Sequence, residues 1–152
     1  MSYDINLLDP ITKNVIEIND AHFLRGGTYK IGGSTELSLN ITYNYSKFLH
    51  KVIQPETTPS EYETGIRSLY GMTALEAIPI LEAAISKLKD DFDNDYWKPT
   101  EGNTKRALNN LLTMCKMRPD AIIDGEWTTT TYAKLIGHSF LGRVYSFTLS
   151  YS

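Results

Sequence analysis

The stretch Glu36-Leu37-Ser38-Leu39-Asn40-Ile41-Thr42-Tyr43-Asn44-Tyr45 has the most regular alternation of apolar and polar residues in the chain. From Leu37 onward every second side chain is apolar or aromatic, and the residues between carry hydroxyl or amide groups. A period of two predicts a β-strand with one buried and one solvated face, as in antiparallel sheets. A helix is the competing interpretation, because Leu37, Ile41 and Tyr45 also recur every four residues.

The N-terminus predicts an opening hairpin. Tyr3, Ile5 and Leu7 alternate with other residues, and a turn signal follows at Asp9-Pro10. Residues 15–18 predict the returning strand.

Two further strands are predicted outside these segments. Residues 28–31 lie between two glycine pairs, and residues 145–151 alternate aromatic or apolar with hydroxyl side chains. The C-terminal segment 128–152 is therefore predicted to contain a strand. Because an uncharged aromatic edge strand favours aggregation, we expect it to pair inside the sheet or across a homodimer.

Two longer segments predict helices. The capping box Thr73-Ala74-Leu75-Glu76 starts the first, in which Pro79 marks either a kink or a later start. The second has a cap at Thr100 or Asn103 and an apolar stripe over residues 108–115. The fold class predicted is α+β, an antiparallel or mixed sheet with two main helices packed on one face.

The connections are predicted from their turn-forming residues. Residues 54–63 contain two prolines and several hydroxyl residues, which predicts a flexible exposed loop. Residues 48–53 predict a short helix before it, and Asp124-Gly125 is a turn signal.

Length and charge limit the classes of protein. The 152 residues predict a single domain over residues 1–152, and Cys115, the one cysteine, excludes an intramolecular disulfide. The net charge of -3 argues against strong nucleic-acid binding. No signal-peptide pattern and no apolar run of ~20 residues is present, so we expect a cytoplasmic protein with no membrane association.

Metal and catalytic patterns are incomplete. Asp91, Asp93 and Asp95 imitate an EF-hand loop, but Tyr96 and Gly102 stand where glycine and glutamate are required. This favours a solvated acidic loop.

The three histidines are scattered, and Cys115 lies on an apolar stripe, where a thiol is inert. Glu36, Glu101, Tyr43 and His22 would supply acid–base chemistry, but no motif fixes their geometry. We therefore expect no metal and no cofactor, and an enzyme of unknown reaction type is an alternative only.

Three groups of residues are candidate ligand contacts. Arg25 beside Gly26 and Gly27 combines a bidentate cation with accessible backbone N–H groups, which suits phosphate or carboxylate. A tight turn with a surface arginine is the alternative.

Trp97, Asn103 and Arg106 surround a predicted helix start, where a ring and a cation would hold a base and its phosphate. An ordinary capped helix with a buried tryptophan is the alternative.

The third group is an aromatic patch of Tyr43, Tyr45, Tyr70 and Trp97, with Asn40 lining a cavity beside it. Aromatic residues are more often core, which is the alternative. Arg67 adds a third cation to the set.

Four blocks of the sequence combine glycine, aromatic and polar residues: Arg25-Gly26-Gly27-Thr28-Tyr29, Leu39-Asn40-Ile41-Thr42-Tyr43-Asn44-Tyr45, Gly65-Ile66-Arg67-Ser68-Leu69-Tyr70-Gly71-Met72 and Tyr96-Trp97-Lys98-Pro99-Thr100-Glu101-Gly102-Asn103. In these blocks the chain resembles a family of small uncharacterised bacterial and phage proteins. The resemblance covers residues 1 to about 124 and implies an intact cytoplasmic domain. It implies no mechanism, but a phage origin makes a counter-defence role against a host a hypothesis.

The leading hypothesis is non-enzymatic binding or sequestering of a small anionic ligand, with nucleotide-derived ligands as one class. Arginines neutralise phosphate, and aromatic faces stack on a base. The alternative from another class is a protein–protein interaction or inhibitor module with a host protein as partner, because Tyr, Trp and Arg dominate interface hot spots.

Overall fold

A computed structural model describes residues 1–24 and 33–125 of the chain. Five strands and three α-helices lie in these ranges, together with two short 3₁₀ helices. The strands are β1 (Ser2–Leu8), β2 (Glu17–His22), β3 (Ser34–Glu36), β4 (Ser38–Thr42) and β5 (Ile122–Gly125). The helices are α1 (Ser46–Val52), α2 (Ala74–Ser86) and α3 (Glu101–Met117), and the 3₁₀ helices are Tyr43–Tyr45 and Ile66–Leu69. The predicted α+β class with two main helices is confirmed.

The central strand of the main sheet is β1. It pairs antiparallel with β4 on one side, where Tyr3 lies opposite Ile41, and with β5 on the other, where Leu7 lies opposite Ile123. The order is β4-β1-β5, and β2 and β3 form a separate antiparallel pair. The sheet is thus of the antiparallel kind that the alternation predicts.

The two faces of the main sheet differ in chemistry. Tyr3, Ile5 and Leu7 of β1 are buried in the core that α2 and α3 also contribute to. On the opposite face, Ser38 Oγ donates to Asn6 Oδ1 at 2.7 Å. The apolar face carries the packing energy, whereas the polar face is cross-linked by side-chain hydrogen bonds.

Helix α2 begins where its capping box predicts. The Thr73 hydroxyl accepts from the Glu76 backbone N–H, and the Glu76 carboxylate accepts from the Thr73 N–H. Pro79 lies inside the helix, so a later start at the proline is wrong. Thr100 caps α3, and the stripe Leu108, Leu111, Leu112 and Cys115 is buried as predicted.

Two local predictions are wrong. The strand predicted over residues 36–45 ends at Thr42, because its hydroxyl accepts from the Asn44 N–H at 3.2 Å and turns the backbone into a 3₁₀ helix. Asp124-Gly125 is not a turn but part of β5. Strand β5 pairs with β1 and is also held by the backbone of Met72, whose carbonyl accepts from the Ile123 N–H at 2.8 Å.

The described residues test several other predictions only in part. Residues 54–63 contain neither helix nor strand. The returning strand of the opening hairpin begins at Glu17, two residues later than predicted, although Val15 still bridges to Leu8. The strands predicted at residues 28–31 and 145–151 lie outside the described residues. Within the described ranges, no helix has the length and apolar character to cross a membrane.

Candidate functional site: two arginine–aromatic clusters

The first cluster is built around Arg67. Its guanidinium carbon lies 5.2 Å from the Tyr3 ring centroid, 5.5 Å from that of Tyr43 and 5.6 Å from that of Tyr62. Its Nη2 donates to the Tyr43 hydroxyl at 2.7 Å. The Tyr3 and Tyr43 rings meet edge to face with centroids 4.6 Å apart. Four separate segments of the chain are therefore joined by one half-buried arginine.

The backbone before Arg67 is fixed by a glycine. Gly65 has φ +79, a left-handed conformation that side chains rarely adopt, and a Cβ there would lie 2.8 Å from the His50 ring. His50 Nδ1 in turn lies 2.9 Å from the Thr64 hydroxyl. This junction starts the 3₁₀ helix Ile66–Leu69 and sets the direction in which Arg67 leaves the backbone.

The second cluster is built around Arg106 on α3. Its guanidinium carbon lies 5.2 Å from the Phe92 ring centroid and 5.1 Å from that of Tyr96. The neighbouring Lys105 forms an ion pair with Asp90 at 2.7 Å. No carboxylate among residues 1–24 and 33–125 forms such a pair with Arg106.

The loop that carries these rings is anchored by Asn103. This side chain is 1% exposed. Its Nδ2 donates to the carbonyls of Asp95 and Lys98, both at 3.0 Å, and its Oδ1 accepts from the Asp93 N–H at 2.9 Å. Three loop residues are thereby held on the first turn of α3. Asn103 thus acts on the conformation of the loop.

Gly102 allows the loop to approach the helix closely. A Cβ at this position would lie 2.5 Å from the Phe92 backbone nitrogen and 2.6 Å from the Asp91 carbonyl carbon. The Gly102 N–H donates to Asp91 Oδ1 at 2.8 Å. Two backbones can approach this closely only because glycine has no side chain.

The 3₁₀ helix Tyr43–Tyr45 links the two clusters. Tyr43 contacts Arg67, while the Tyr45 hydroxyl donates to the Tyr96 carbonyl. Between them, Asn44 Nδ2 donates to the Trp97 carbonyl at 2.8 Å. Burial raises the pKa of Tyr45 to about 12, and the positive charge of Arg106 opposes that rise. The Tyr45 hydroxyl is therefore neutral, which lets it donate to a carbonyl.

Two aromatic side chains of the loop before α3 are about half exposed. Phe92 is 51% exposed and Trp97 is 48% exposed. The Trp97 backbone is held at both ends, because its N–H donates to Asp95 Oδ1 at 3.0 Å and its carbonyl accepts from Asn44. A large apolar surface is thus presented on a fixed backbone.

The predicted site residues fall into separate places. Trp97 belongs to the loop that Asn103 holds on the first turn of α3, and Arg106 follows one turn later on the same helix. Tyr43 and Arg67 contact each other on the other side of the turn. Three further predicted residues either lie on the polar face of the sheet or are wholly buried.

Asn40 belongs to the polar face of the sheet, where its Nδ2 donates to Ser2 Oγ at 2.6 Å and to Asp4 Oδ1. Tyr45 and Tyr70 have no exposed surface, and the Tyr70 ring occupies the space where a Gly125 side chain would stand. Arg25, Gly26 and Gly27 lie outside the described residues.

The sequence interpretation missed Phe92 and Tyr62. Phe92 had one signal, since it is the single aromatic residue inside the acidic run of residues 90–95. Tyr62 is recognised only through its tertiary contact with Arg67.

The described residues were also compared with the arrangements that metal binding and thiol chemistry require. Residues 1–24 and 33–125 contain no group of three or more His, Cys, Asp or Glu side chains arranged to hold a metal ion. Burial raises the pKa of the Cys115 thiol to about 12, so the thiolate is disfavoured at neutral pH.

Comparison of the chain with protein-family models, with curated proteins and with solved structures gave no match.

Proposed function

We propose that the protein binds a small anionic ligand at the Arg106 cluster, without chemical conversion, and that nucleotide-derived compounds are the leading ligand class. The observation that supports this is the guanidinium of Arg106. It lies over two rings and forms neither a hydrogen bond nor an ion pair with any residue in the described ranges. An arginine offers five donors in a planar fork that suits phosphate or carboxylate.

In this proposal the exposed rings of Phe92 and Trp97 stack on the base of the ligand. Stacking of a base on an aromatic side chain contributes about 1–3 kcal/mol per base. Because the Trp97 backbone is held by hydrogen bonds at both its N–H and its carbonyl, little ordering would accompany binding.

Arg67 has a different role in this proposal. Three tyrosine rings surround it and its Nη2 donates to the Tyr43 hydroxyl. We assign it to the packing of the Tyr43–Tyr45 turn. Its contribution to ligand affinity is then indirect.

The test is calorimetric titration with inorganic phosphate, nucleoside monophosphates and triphosphates, and cyclic mono- and dinucleotides. Arg106→Gln is expected to weaken binding at least tenfold, because a charge-assisted bidentate contact contributes about 1.5–3 kcal/mol. Lys51→Gln, an exposed charge on α1, is the matched control and leaves the affinity unchanged. Equal affinities for the two variants would contradict the proposed site.

The protein–protein interaction module remains the second candidate, because half-exposed Phe92 and Trp97 are the residue types of interface anchors. Trp97→Ala would abolish a stoichiometric complex with a purified protein partner while nucleotides cause no thermal shift. Native mass, recorded in the same experiments, tests the proposed homodimer.

Sequestration in the cytoplasm as a phage counter-defence is an extension of the ligand proposal. It requires that the ligand is recovered chemically unchanged after incubation. A ligand that is consumed would favour an enzyme instead.

A further inference from the structure

The charges around Arg106 restrict the kind of anion that the proposed site accepts. The loop over residues 90–95 carries four aspartates. Lys105 pairs with Asp90 at 2.7 Å, and Lys98 pairs with Asp93 at 3.1 Å. The negative charges of Asp90 and Asp93 are therefore largely offset by these two lysines.

The other two aspartates are compensated only by backbone groups. Asp91 Oδ1 accepts from the Gly102 N–H at 2.8 Å, and Asp95 Oδ1 accepts from the Trp97 N–H at 3.0 Å. No lysine or arginine in the described part of the chain forms an ion pair with either of them. Hydrogen bonds from neutral N–H groups leave the full negative charge in place.

Asp95 lies close to the site in space as well as in sequence. It is next to Tyr96, whose ring contacts Arg106 and whose carbonyl accepts from the Tyr45 hydroxyl. The electrostatic effects of both Asp95 and Arg106 reach that same hydroxyl. Two uncompensated carboxylates therefore accompany one uncompensated guanidinium.

From this charge balance we infer that the ligand is a flat aromatic anion with a single negative charge, such as a cyclic mononucleotide, and not a polyphosphate. This inference depends on the proposed function. One phosphodiester group matches the one guanidinium, and the base has the exposed ring surfaces of Phe92 and Trp97 to stack on. Additional phosphates would meet the charges of Asp91 and Asp95, which only backbone N–H groups offset.

The discrimination grows with the charge of the ligand. At 0.15 M salt, a carboxylate about 8–10 Å from a phosphate would weaken binding roughly 1.2- to 1.4-fold per ligand charge. For a ligand of charge -4, a single carboxylate at this distance would therefore have an effect of roughly 2- to 4-fold. For a ligand of charge -1 the effect stays below about twofold.

The experiment is a titration of the full chain with cyclic AMP, AMP and ATP, without divalent cations, at 0.15 M salt. We expect the affinity to fall in that order. Asp95→Asn keeps an oxygen that accepts from the Trp97 N–H but removes the charge. It is expected to strengthen ATP binding about two- to fourfold and cyclic AMP binding less than about 1.5-fold. Asp20→Asn, an exposed carboxylate on β2, is the control and changes neither.

The possible failures are distinguishable. Tightest binding by ATP, or equal effects of Asp95→Asn on all three nucleotides, would overturn the charge inference and leave the proposed function in place. Absence of binding by all three nucleotides and by inorganic phosphate would overturn both.

Discussion

Replacement of Asn103 by alanine tests whether this side chain holds the aromatic loop in place. Its amide makes three hydrogen bonds to the backbone of Asp93, Asp95 and Lys98. At about 1 kcal/mol net for each bond, their loss costs about 3 kcal/mol. Alanine regains about 0.5 kcal/mol of helix propensity. The expected net loss is therefore about 2–3 kcal/mol in the free energy of unfolding.

For a chain of this length such a loss lowers Tm by about 5–10 °C. Asn109→Ala is the matched control, since Asn109 is an exposed asparagine on the same helix. It is expected to stay within about 0.5 kcal/mol of the parent, because it gains the same propensity and loses no loop contact. Urea denaturation of the two variants gives the difference directly.

The loop itself is monitored through Trp97. In a Trp127→Phe background, Trp97 is the one remaining tryptophan of the chain. We expect Asn103→Ala to increase collisional quenching of its fluorescence by acrylamide under native conditions. A stability loss below 1 kcal/mol, or unchanged quenching despite the full loss, would refute the assignment of Asn103 as the anchor of the loop.

Three further predictions concern buried groups. Gly102→Ala is expected to destabilise by about 1–3 kcal/mol in urea, although alanine is the better helix former, because its Cβ meets the backbone of Phe92 and Asp91. A higher urea midpoint would contradict this. Since burial raises the pKa of Tyr45 from 10.0 to about 12, the unfolded state releases that proton first. Stability therefore declines as pH rises through this interval, with a shallower decline in Tyr45→Phe; parallel pH profiles would refute it. Burial raises the pKa of the Cys115 thiol to about 12, so this thiol should react with a disulfide reagent only after unfolding. Rapid labelling of the native protein would be inconsistent with its burial.

Local signals in the sequence predict the elements whose cause is local. The alternation of Tyr3, Ile5 and Leu7 predicts β1, and the capping box at Thr73 predicts the start of α2 within one residue. Strand β5 is missed because Asp124-Gly125 is locally a turn signal. Its extended conformation comes from pairing with β1, at the opposite end of the described chain, and from the Gly71–Met72 backbone. The residues around Asp124 do not by themselves indicate these distant pairing partners.

The site shows the same division between local and tertiary causes. Trp97, Asn103 and Arg106 are near each other in sequence, so their placement around one helix start is predictable. The union of Arg67 with Tyr3 and Tyr62 depends on how three segments pack, which periodicity does not reveal. Exposure is equally tertiary. Tyr45 is buried and Phe92 is exposed, although hydrophobicity alone would rank them in the opposite order.

The connection between α2 and α3 is longer than packing alone requires. It spans residues 87–100 without helix or strand, whereas helix–helix connections usually take about 2–8 residues. A connection of this length that served only to join two helices would be expected to bury its aromatic side chains. Here Asn103 and Gly102 give the loop a fixed conformation, yet Phe92 and Trp97 stay half exposed. A loop that leaves apolar rings in water gains little folding energy from them, which is the physical reason for placing the proposed binding site at this loop.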